Sequence, residues 1–201
     1  MKRLLRIDTS TREENSHSRD LANSFEEKYK VKYVQAEVKY RNLGTSNIPH
    51  VSQAFIDAMF TPNESRTKEM HETLTLSNEL ITEFKNADTI LLSVPMFNFS
   101  IPSVLKAYID HITRVGETFS MDETGFQGLV TGKKLVIVAA YGAEFSEMKA
   151  MDFVEPYLKS IFGFLGFTNI SYFAVEGTSM LSEEVLEERK LLIKEGFASN
   201  I

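Results

Sequence analysis

Hydroxyl and amide side chains are concentrated near the amino terminus, in residues 9–18, called here the phosphate loop. Thr9-Ser10-Thr11 is followed by Asn15-Ser16-His17-Ser18, and apolar residues at helical spacing begin only at Leu21. Hydroxyls and the free N–H groups of a helix start can bind phosphate. Neither G-x-x-x-x-G-K-[ST] nor G-x-G-x-x-G occurs here, which favours a single terminal phosphate. An ordinary polar turn remains the alternative reading.

A second segment, residues 95–102, is called here the aromatic turn and reads Pro95-Met96-Phe97-Asn98-Phe99-Ser100-Ile101-Pro102. A flat ring such as an isoalloxazine has two apolar faces and a polar edge. Aromatic and thioether groups could cover the faces, while Asn98 and backbone amides could bind the edge. Core packing is the alternative, because aromatics beside a strand are often buried. The two prolines indicate a fixed backbone shape, which packing alone does not require.

Alternating strand and helix patterns place both segments. Strands are predicted near residues 4–7, 34–38, 89–94, 135–140 and 170–175, and helices near 21–29, 70–84, 102–112, 152–165 and from Ser182. Parallel strands need right-handed helical crossovers, so we expect an α/β three-layer sandwich. In the flavodoxin-like strand order 2-1-3-4-5, the switch point lies between strands one and three, where both segments would meet. Residues 114–134 show no helical period and predict a surface loop or small hairpin.

Composition narrows the class of protein. With 201 residues, 43% of them hydrophobic, residues 1–201 should form one domain. A net charge of −6 disfavours nucleic acid as a partner. The chain has no cysteine, so any redox chemistry must come from a bound cofactor. A charged amino terminus without a long apolar run indicates a soluble, cytoplasmic protein with no membrane partner. His50, His71 and His111 are isolated, so we expect no metal.

The aromatic turn, followed by Leu105-Lys106-Ala107-Tyr108-Ile109-Asp110, resembles the P-M-[YF]-N-F-x-[IV]-P…LK-x-[YW]-[IFL]-D signature of the FMN-dependent NADH azoreductases, also called NAD(P)H:quinone oxidoreductases. Gly128-Leu129-Val130-Thr131-Gly132-Lys133-Lys134 is similar to the stretch before the fourth strand of that family. Pro156-Tyr157-Leu158 and Gly163-Phe164-Leu165-Gly166 resemble its next helix. The resemblance spans essentially the whole chain.

This resemblance implies a set of site residues. Bound FMN would be held through its phosphate by Ser10, Ser16, His17 and Ser18, and through its ring by Met96, Phe97, Asn98, Phe99, Ala140, Tyr141, Gly142 and Ala143. The last four depart from the common Ser-x-Gly-Gly, and His17 also replaces the usual residue, although its backbone N–H remains available. The family forms homodimers with sites at the subunit interface, so Phe164 and the 114–132 loop would shape a substrate pocket. Met121 stands there in place of a tyrosine found in some relatives.

The implied reaction is a ping-pong hydride transfer in which NADH or NADPH reduces FMN, and a quinone or azo compound is then reduced at the same face. No residue is assigned as an obligatory acid or base. Three alternatives remain at this point. The chain could be a flavodoxin-type electron carrier, a reductase of free flavin or metal ions, or an FMN-free interaction protein on the same scaffold. A flavodoxin-type carrier usually has a compact Thr/Ser-Gly phosphate loop, and this chain lacks it. The chain also has the additional 114–132 loop, and both features favour the enzyme over the carrier.

Overall fold

A parallel sheet of five strands forms the centre of the molecule. The structure, a computed structural model, describes residues 1–123 and 125–201. The strands along the chain are β1 (Arg3–Asp8), β2 (Glu37–Asn42), β3 (Thr89–Pro95), β4 (Phe119–Asp122), β5 (Gly125–Gly128), β6 (Lys134–Ala140) and β7 (Asn169–Val175). The central sheet has the order β2-β1-β3-β6-β7, and β4 pairs with β5 in a separate hairpin. This is the predicted arrangement once the two hairpin strands are left out of the count.

Helices cover both faces of the sheet. They are α1 (His17–Lys32), α2 (Gln53–Phe60), α3 (Lys68–Thr73), α4 (Thr75–Asn86), α5 (Ser103–Ile112), α6 (Glu155–Phe164) and α7 (Glu183–Gly196). One face packs under α4, α5 and α6 through residues such as Leu80, Tyr108 and Phe162. The other packs under α1 and α7 through Phe25 and Leu186. Burial on both faces explains why β3 and β6 are nearly continuous apolar runs.

Both predicted ends of the edge strand β2 were wrong, since it runs over Glu37–Asn42. Strand β2 begins at Glu37, whereas the sequence pattern placed the strand at residues 34–38. Val34 is 89% exposed because the chain turns after α1, where the N–H of Ala36 donates to the carbonyl of Tyr33. The alternating apolar residues that predicted the strand therefore lie partly in the turn before β2 and only partly in the strand itself.

Two helix predictions also need correction. The predicted helix over residues 70–84 is divided into α3 and α4 at Leu74, which is buried in a small cluster with Phe55 and Ala58 of α2. The helix predicted from Asp152 begins at Glu155 instead. The Asp152 carboxylate accepts hydrogen bonds from the N–H groups of Val154 at 2.8 Å and of Glu155, the first residue of the helix, at 3.2 Å, so Asp152 lies before the helix and satisfies its first N–H. No helix in the described part of the chain is both long and apolar enough to cross a membrane.

Candidate cofactor site

The carboxyl ends of β1, β3 and β6 bring the predicted segments to one edge of the sheet. The N–H and hydroxyl of Thr9 both donate to the carbonyl of Ser93, at 3.1 and 2.8 Å. On the other side of β3, the N–H of Met96 donates to the carbonyl of Ala140 at 2.9 Å. These bonds extend the ladder beyond the strands. They hold the phosphate loop, the aromatic turn and the 140–143 loop side by side.

The phosphate loop ends in the start of α1. Ser16 is the residue that precedes the helix, but its side chain makes no capping hydrogen bond. Its hydroxyl lies 3.4 Å from the hydroxyl of Ser18. The first backbone bond of the helix runs from the N–H of Asp20 to the carbonyl of Ser16, so the N–H groups of His17 and Arg19 have no intrahelical partner. Paired hydroxyls beside free N–H groups suit an anion.

Ser10 lies on the inner side of the same loop. It is buried, and its hydroxyl accepts a hydrogen bond from the N–H of Arg12 at 3.2 Å. Asn15 turns the chain toward α1 with a φ of 54°. Burial and the neighbouring Lys190 lower the pKa of His17, which favours the neutral imidazole near neutral pH. The His17 position therefore offers its backbone N–H rather than a side-chain cation.

Buried ion pairs fix the end of β1 beneath this loop. Arg6 contacts Asp8 at 3.0 Å and Glu26 of α1 at 2.9 Å. Arg19 contacts the same oxygen of Asp8 at 3.2 Å. Glu26 also accepts a short hydrogen bond from the hydroxyl of Tyr40 on β2. Because each of these charges has an opposite charge beside it, the network ties β1, β2 and α1 together without leaving an unpaired ion.

Acid sensitivity is expected from this network. Burial opposes ionisation of Glu26, but hydrogen bonds from Lys30, Tyr40 and Arg6 outweigh it and hold its pKa below the usual 4.5. The carboxylate therefore stabilises the fold above the unfolded-state pKa, and this contribution is lost as pH falls through the lower folded-state pKa. Urea unfolding from pH 7 to pH 3 should show a shallower decline in stability for Glu26→Gln than for the wild type. Equal slopes would contradict this assignment.

The aromatic turn has an unusual backbone. Phe97 and Ser100 exchange hydrogen bonds, at 2.9 Å from the Phe97 N–H and 3.0 Å from the Ser100 N–H. The two residues between them, Asn98 and Phe99, have φ values of 49° and 68°. Left-handed backbone at two consecutive residues defines a tight primed turn, which costs energy when neither residue is glycine. The rings of Phe97 and Phe99 remain about two-fifths exposed, at 42% and 43%.

In the 140–143 loop, Tyr141 belongs to the core, whereas Gly142 and Ala143 have free backbone N–H groups. Tyr141 is 1% exposed, and its N–H donates to the carbonyl of Val175. Its hydroxyl is bonded to Asp152 and to the hydroxyl of Tyr172. The structure therefore gives the Tyr141 side chain a packing role, and contact with a cofactor ring stays a prediction for this residue.

Gly142 and Ala143 use their carbonyl groups, and not their N–H groups, in backbone hydrogen bonds. Their carbonyls accept hydrogen bonds from the N–H groups of Ser179 at 3.0 Å and Gly177 at 3.1 Å. Their own N–H groups have no hydrogen-bond partner within residues 1–123 and 125–201. Free donors at this edge are what the polar rim of a flat heterocycle needs, although the family's usual hydroxyl is absent from the loop.

Phe153 is a residue that the sequence reasoning missed. Its N–H donates to the carbonyl of Phe99 at 3.0 Å, and its side chain is 57% exposed. Phe145 supports the turn from below, with its ring centroid 6.4 Å from that of Phe99. This backbone bond places Phe153 next to the aromatic turn, where its side chain is exposed like those of Phe97 and Phe99. The sequence signal for it was an apolar residue directly after Asp152.

The two predicted pocket residues lie elsewhere. Phe164 is the last residue of α6. The carbonyl of the next residue, Leu165, accepts a hydrogen bond from the N–H of Val130. Strand β7 then begins at Asn169, which lies beside Lys134, the first residue of β6. This places Phe164 at the amino-terminal edge of the sheet, opposite the three loops. Its ring lies 5.7 Å from that of Phe126, which pairs with Met121 across the hairpin. Met121, Phe126 and Phe164 thus form one patch, called here the hairpin patch. Within one chain, this patch lies away from the aromatic turn.

Histidines and carboxylates form no metal centre in the described residues. His111 is buried, with its Nε2 atom 2.9 Å from the carbonyl oxygen of Pro49. Its ring packs edge-on against Phe55 at 4.7 Å between centroids. This histidine therefore joins α5 to the segment before α2.

The sheet order and the loops at its switch point define a flavodoxin-like protein, and residues 2–195 match the family model described as "Flavodoxin-like fold". The chain is 47% identical over 175 residues to an FMN-dependent NADH:quinone oxidoreductase of Nostoc punctiforme, covering 86% of this chain and 85% of that protein. It is 44% identical over 186 residues to a protein of the same name from Hydrogenovibrio crunogenus, covering 92% and 91% of the two chains. The chain therefore belongs to the FMN-dependent NADH:quinone oxidoreductase family.

Solved structures agree with this assignment. The crystal structure of an FMN-dependent NADH-azoreductase from Bacillus anthracis in complex with FMN superposes with a TM-score of 0.86 and 26% identity, covering 99% of both chains. Another azoreductase crystal structure from Bacillus anthracis gives a TM-score of 0.90 at 26% identity, covering 99% of this chain and 100% of that one. The similarity therefore extends over the whole fold.

Proposed function

We propose that this chain is an oxidoreductase that binds FMN and uses NADH to reduce quinones and to cleave azo compounds to amines. The observation that carries the proposal is the meeting of the phosphate loop, the aromatic turn and the 140–143 loop at one sheet edge. The names of the relatives and the FMN complex of the Bacillus anthracis protein support the same cofactor and donor. A simple electron carrier would not oxidise NADH without a reductase, so turnover by the purified protein alone separates the two classes.

The residues at this edge fit FMN. Ser10, Ser16 and Ser18, with the free N–H groups at the start of α1, would hold the phosphate. Met96, Phe97, Asn98 and Phe99 would line the isoalloxazine ring. The N–H groups of Gly142 and Ala143 would donate to its polar rim. Apolar walls with a few placed donors are typical of cofactor sites.

When bound, FMN supplies two-electron chemistry by accepting hydride from a nicotinamide and reducing an acceptor. Donor and acceptor would both have to reach the isoalloxazine ring beside the aromatic turn and the exposed Phe153. They need the same space, so we propose that the donor product leaves before the acceptor enters. Double-reciprocal plots should then give parallel lines. Intersecting lines would contradict a ping-pong order.

Azo cleavage makes a second demand. Conversion of one azo bond to two amines takes four electrons, so it consumes two molecules of NADH and two protons. Stopped assays should therefore show two NADH oxidised for each azo bond lost. NADPH measured in parallel would rank the two donors.

We further propose a homodimer in which the hairpin patch of one protomer completes the site of its partner. Met121 and Phe126 are 63% and 65% exposed, and exposed apolar patches of this kind mark interaction surfaces. Within one chain, these residues lie too far from the aromatic turn to share a pocket with it. In a dimer, the patch of one protomer could lie against the aromatic turn of its partner, and the acceptor pocket would form between the two chains. A fully active monomer in sedimentation experiments would contradict this arrangement.

Shortening one side chain of the patch tests its role. Phe164→Ala should raise the KM for a quinone by about tenfold, since an aromatic contact with the acceptor is lost, while FMN affinity stays unchanged. Leu192→Ala is the matched control, because Leu192 is an exposed apolar residue on α7 at the other face of the sheet. An unchanged KM in Phe164→Ala would remove Phe164 from the acceptor pocket.

A further inference from the structure

Arg19 joins three parts of the molecule beneath the phosphate loop. Its guanidinium donates to the carbonyl of Ser10 at 2.8 Å and to the side-chain oxygen of Asn42 at 2.7 Å. The third contact is with the carboxylate of Asp8 at 3.2 Å. The Arg19 side chain is only 13% exposed. The charged group is thus directed at acceptors inside the protein.

The carbonyl of Ser10 is held from two sides. Besides Arg19, the backbone of Gly44 packs on it so closely that a Cβ atom at Gly44 would lie 2.0 Å from that oxygen. The N–H of Gly44 also donates to the Asn42 side chain at 3.1 Å, which links the second contact to the first. The loop after β2 and the first turn of α1 therefore determine the orientation of the Ser10 peptide.

That orientation matters for an anion. A carbonyl oxygen facing a phosphate would repel it, whereas hydroxyls and N–H groups attract it. A guanidinium presents several donors in a fixed plane, so it can hold the carbonyl, the amide and the carboxylate together. A lysine ammonium could keep the charge but could not reproduce that fork.

We propose that the side chain of Arg19 has a positioning role: its guanidinium sets Ser10 for the phosphate of the cofactor through the Ser10 carbonyl and does not itself bind the phosphate. The inference rests on the proposed function, because it requires FMN at the phosphate loop. It adds a role for a side chain outside the predicted contact set. Its consequence is confined to the phosphate end of the cofactor and leaves the ring contacts unchanged.

The test compares FMN with riboflavin, which has the ring but no phosphate. Apoprotein of the wild type, Arg19→Lys, Arg19→Met and the control Arg3→Met would be titrated with both flavins by fluorescence quenching. Arg3 is at the far end of β1, and its side chain is 54% exposed. Both Arg19 variants should weaken FMN binding by about tenfold to a hundredfold, which corresponds to loss of a charge-assisted hydrogen bond, and change riboflavin binding less than about twofold.

Two results with the variants would overturn the proposal. Wild-type FMN affinity in Arg19→Lys, with a loss only in Arg19→Met, would show that charge alone matters. Equal losses for FMN and riboflavin would show a general structural role. If the Arg19 variants do not fold, Asn42→Ala should still give an FMN-specific loss of about fivefold, and no loss would contradict the proposal. Failure of the wild type to bind either flavin would instead overturn the proposed function and this inference with it.

Discussion

Replacing Gly44 with alanine is expected to weaken FMN binding by about a hundredfold, because a displacement of around 1 Å at a positioned site can cost that much. A Cβ atom at this position would lie 2.0 Å from the carbonyl oxygen of Ser10 and 3.2 Å from the Cα atom of Thr11. Both are backbone atoms, so no side-chain rotation relieves the overlap. The phosphate loop has to move away from the loop after β2. Titration of the apoprotein with FMN measures the loss directly.

Gly163→Ala is the matched control for this change. Gly163 lies within α6, and a Cβ atom there would meet nothing within 4 Å. Alanine in an open helical position should leave FMN binding unchanged and add about 0.5–1 kcal/mol to the free energy of unfolding. FMN binding within about twofold of the wild type in Gly44→Ala would contradict the close packing of the two loops, and circular dichroism would establish that both variants fold.

The second large effect is expected in the aromatic turn. Asn98 has a φ of 49°, whereas proline is restricted to about −65°, so Asn98→Pro cannot form the tight turn between Phe97 and Ser100. The displaced Phe97 and Phe99 would no longer line one wall. We expect FMN affinity to fall by about a hundredfold, because a strained backbone conformation of this kind corresponds to up to about 3 kcal/mol. NADH oxidation with a saturating quinone should fall with it.

Asn98→Gly separates the backbone from the side chain. Glycine adopts left-handed backbone freely, so this variant keeps the turn and loses only the amide. One hydrogen bond corresponds to about tenfold at most, so the glycine variant should retain much more affinity than the proline variant. Equal affinities of the two variants would show that the left-handed backbone does not matter to binding.

The order of strands and the position of both polar segments could be predicted from the sequence because they depend on local patterns and one topological rule. Continuous apolar runs identify β3 and β6 as buried strands, and parallel strands bring their carboxyl ends to one edge. Ser10, Ser16 and Ser18 follow β1, and Phe97 and Phe99 follow β3, so their proximity follows from topology alone. In the structure, the hydrogen bonds of Thr9 to Ser93 and of Met96 to Ala140 hold the loops that carry these residues side by side.

Contacts between distant loops could not be predicted in this way. Nothing in the local sequence shows that Gly44 packs on Ser10, or that Arg19 turns inward to Asn42. Tyr141 was placed in the site by resemblance, but partners on other elements, Asp152 and Tyr172, hold its side chain in the core. Each of these features depends on long-range packing that residue spacing does not encode.

Backbone strain was equally hidden. Left-handed conformations are expected at glycine, and the turn contains Asn98 and Phe99 instead. Two hydrogen bonds across the turn and the one from Phe153 to Phe99 hold this conformation in place. Phe153 itself was missed because the start of α6 lies three residues later than the sequence pattern indicated, which left it in an exposed loop and not in a helix.

The central claim is tested most directly by the visible spectrum of the purified protein with added FMN, followed by anaerobic NADH and then a quinone. We predict that FMN stays with the protein on gel filtration, that its absorption bands bleach with NADH, and that they return when the quinone is added. A protein that retains no FMN, or whose bound flavin is not bleached by NADH, would contradict the proposed function.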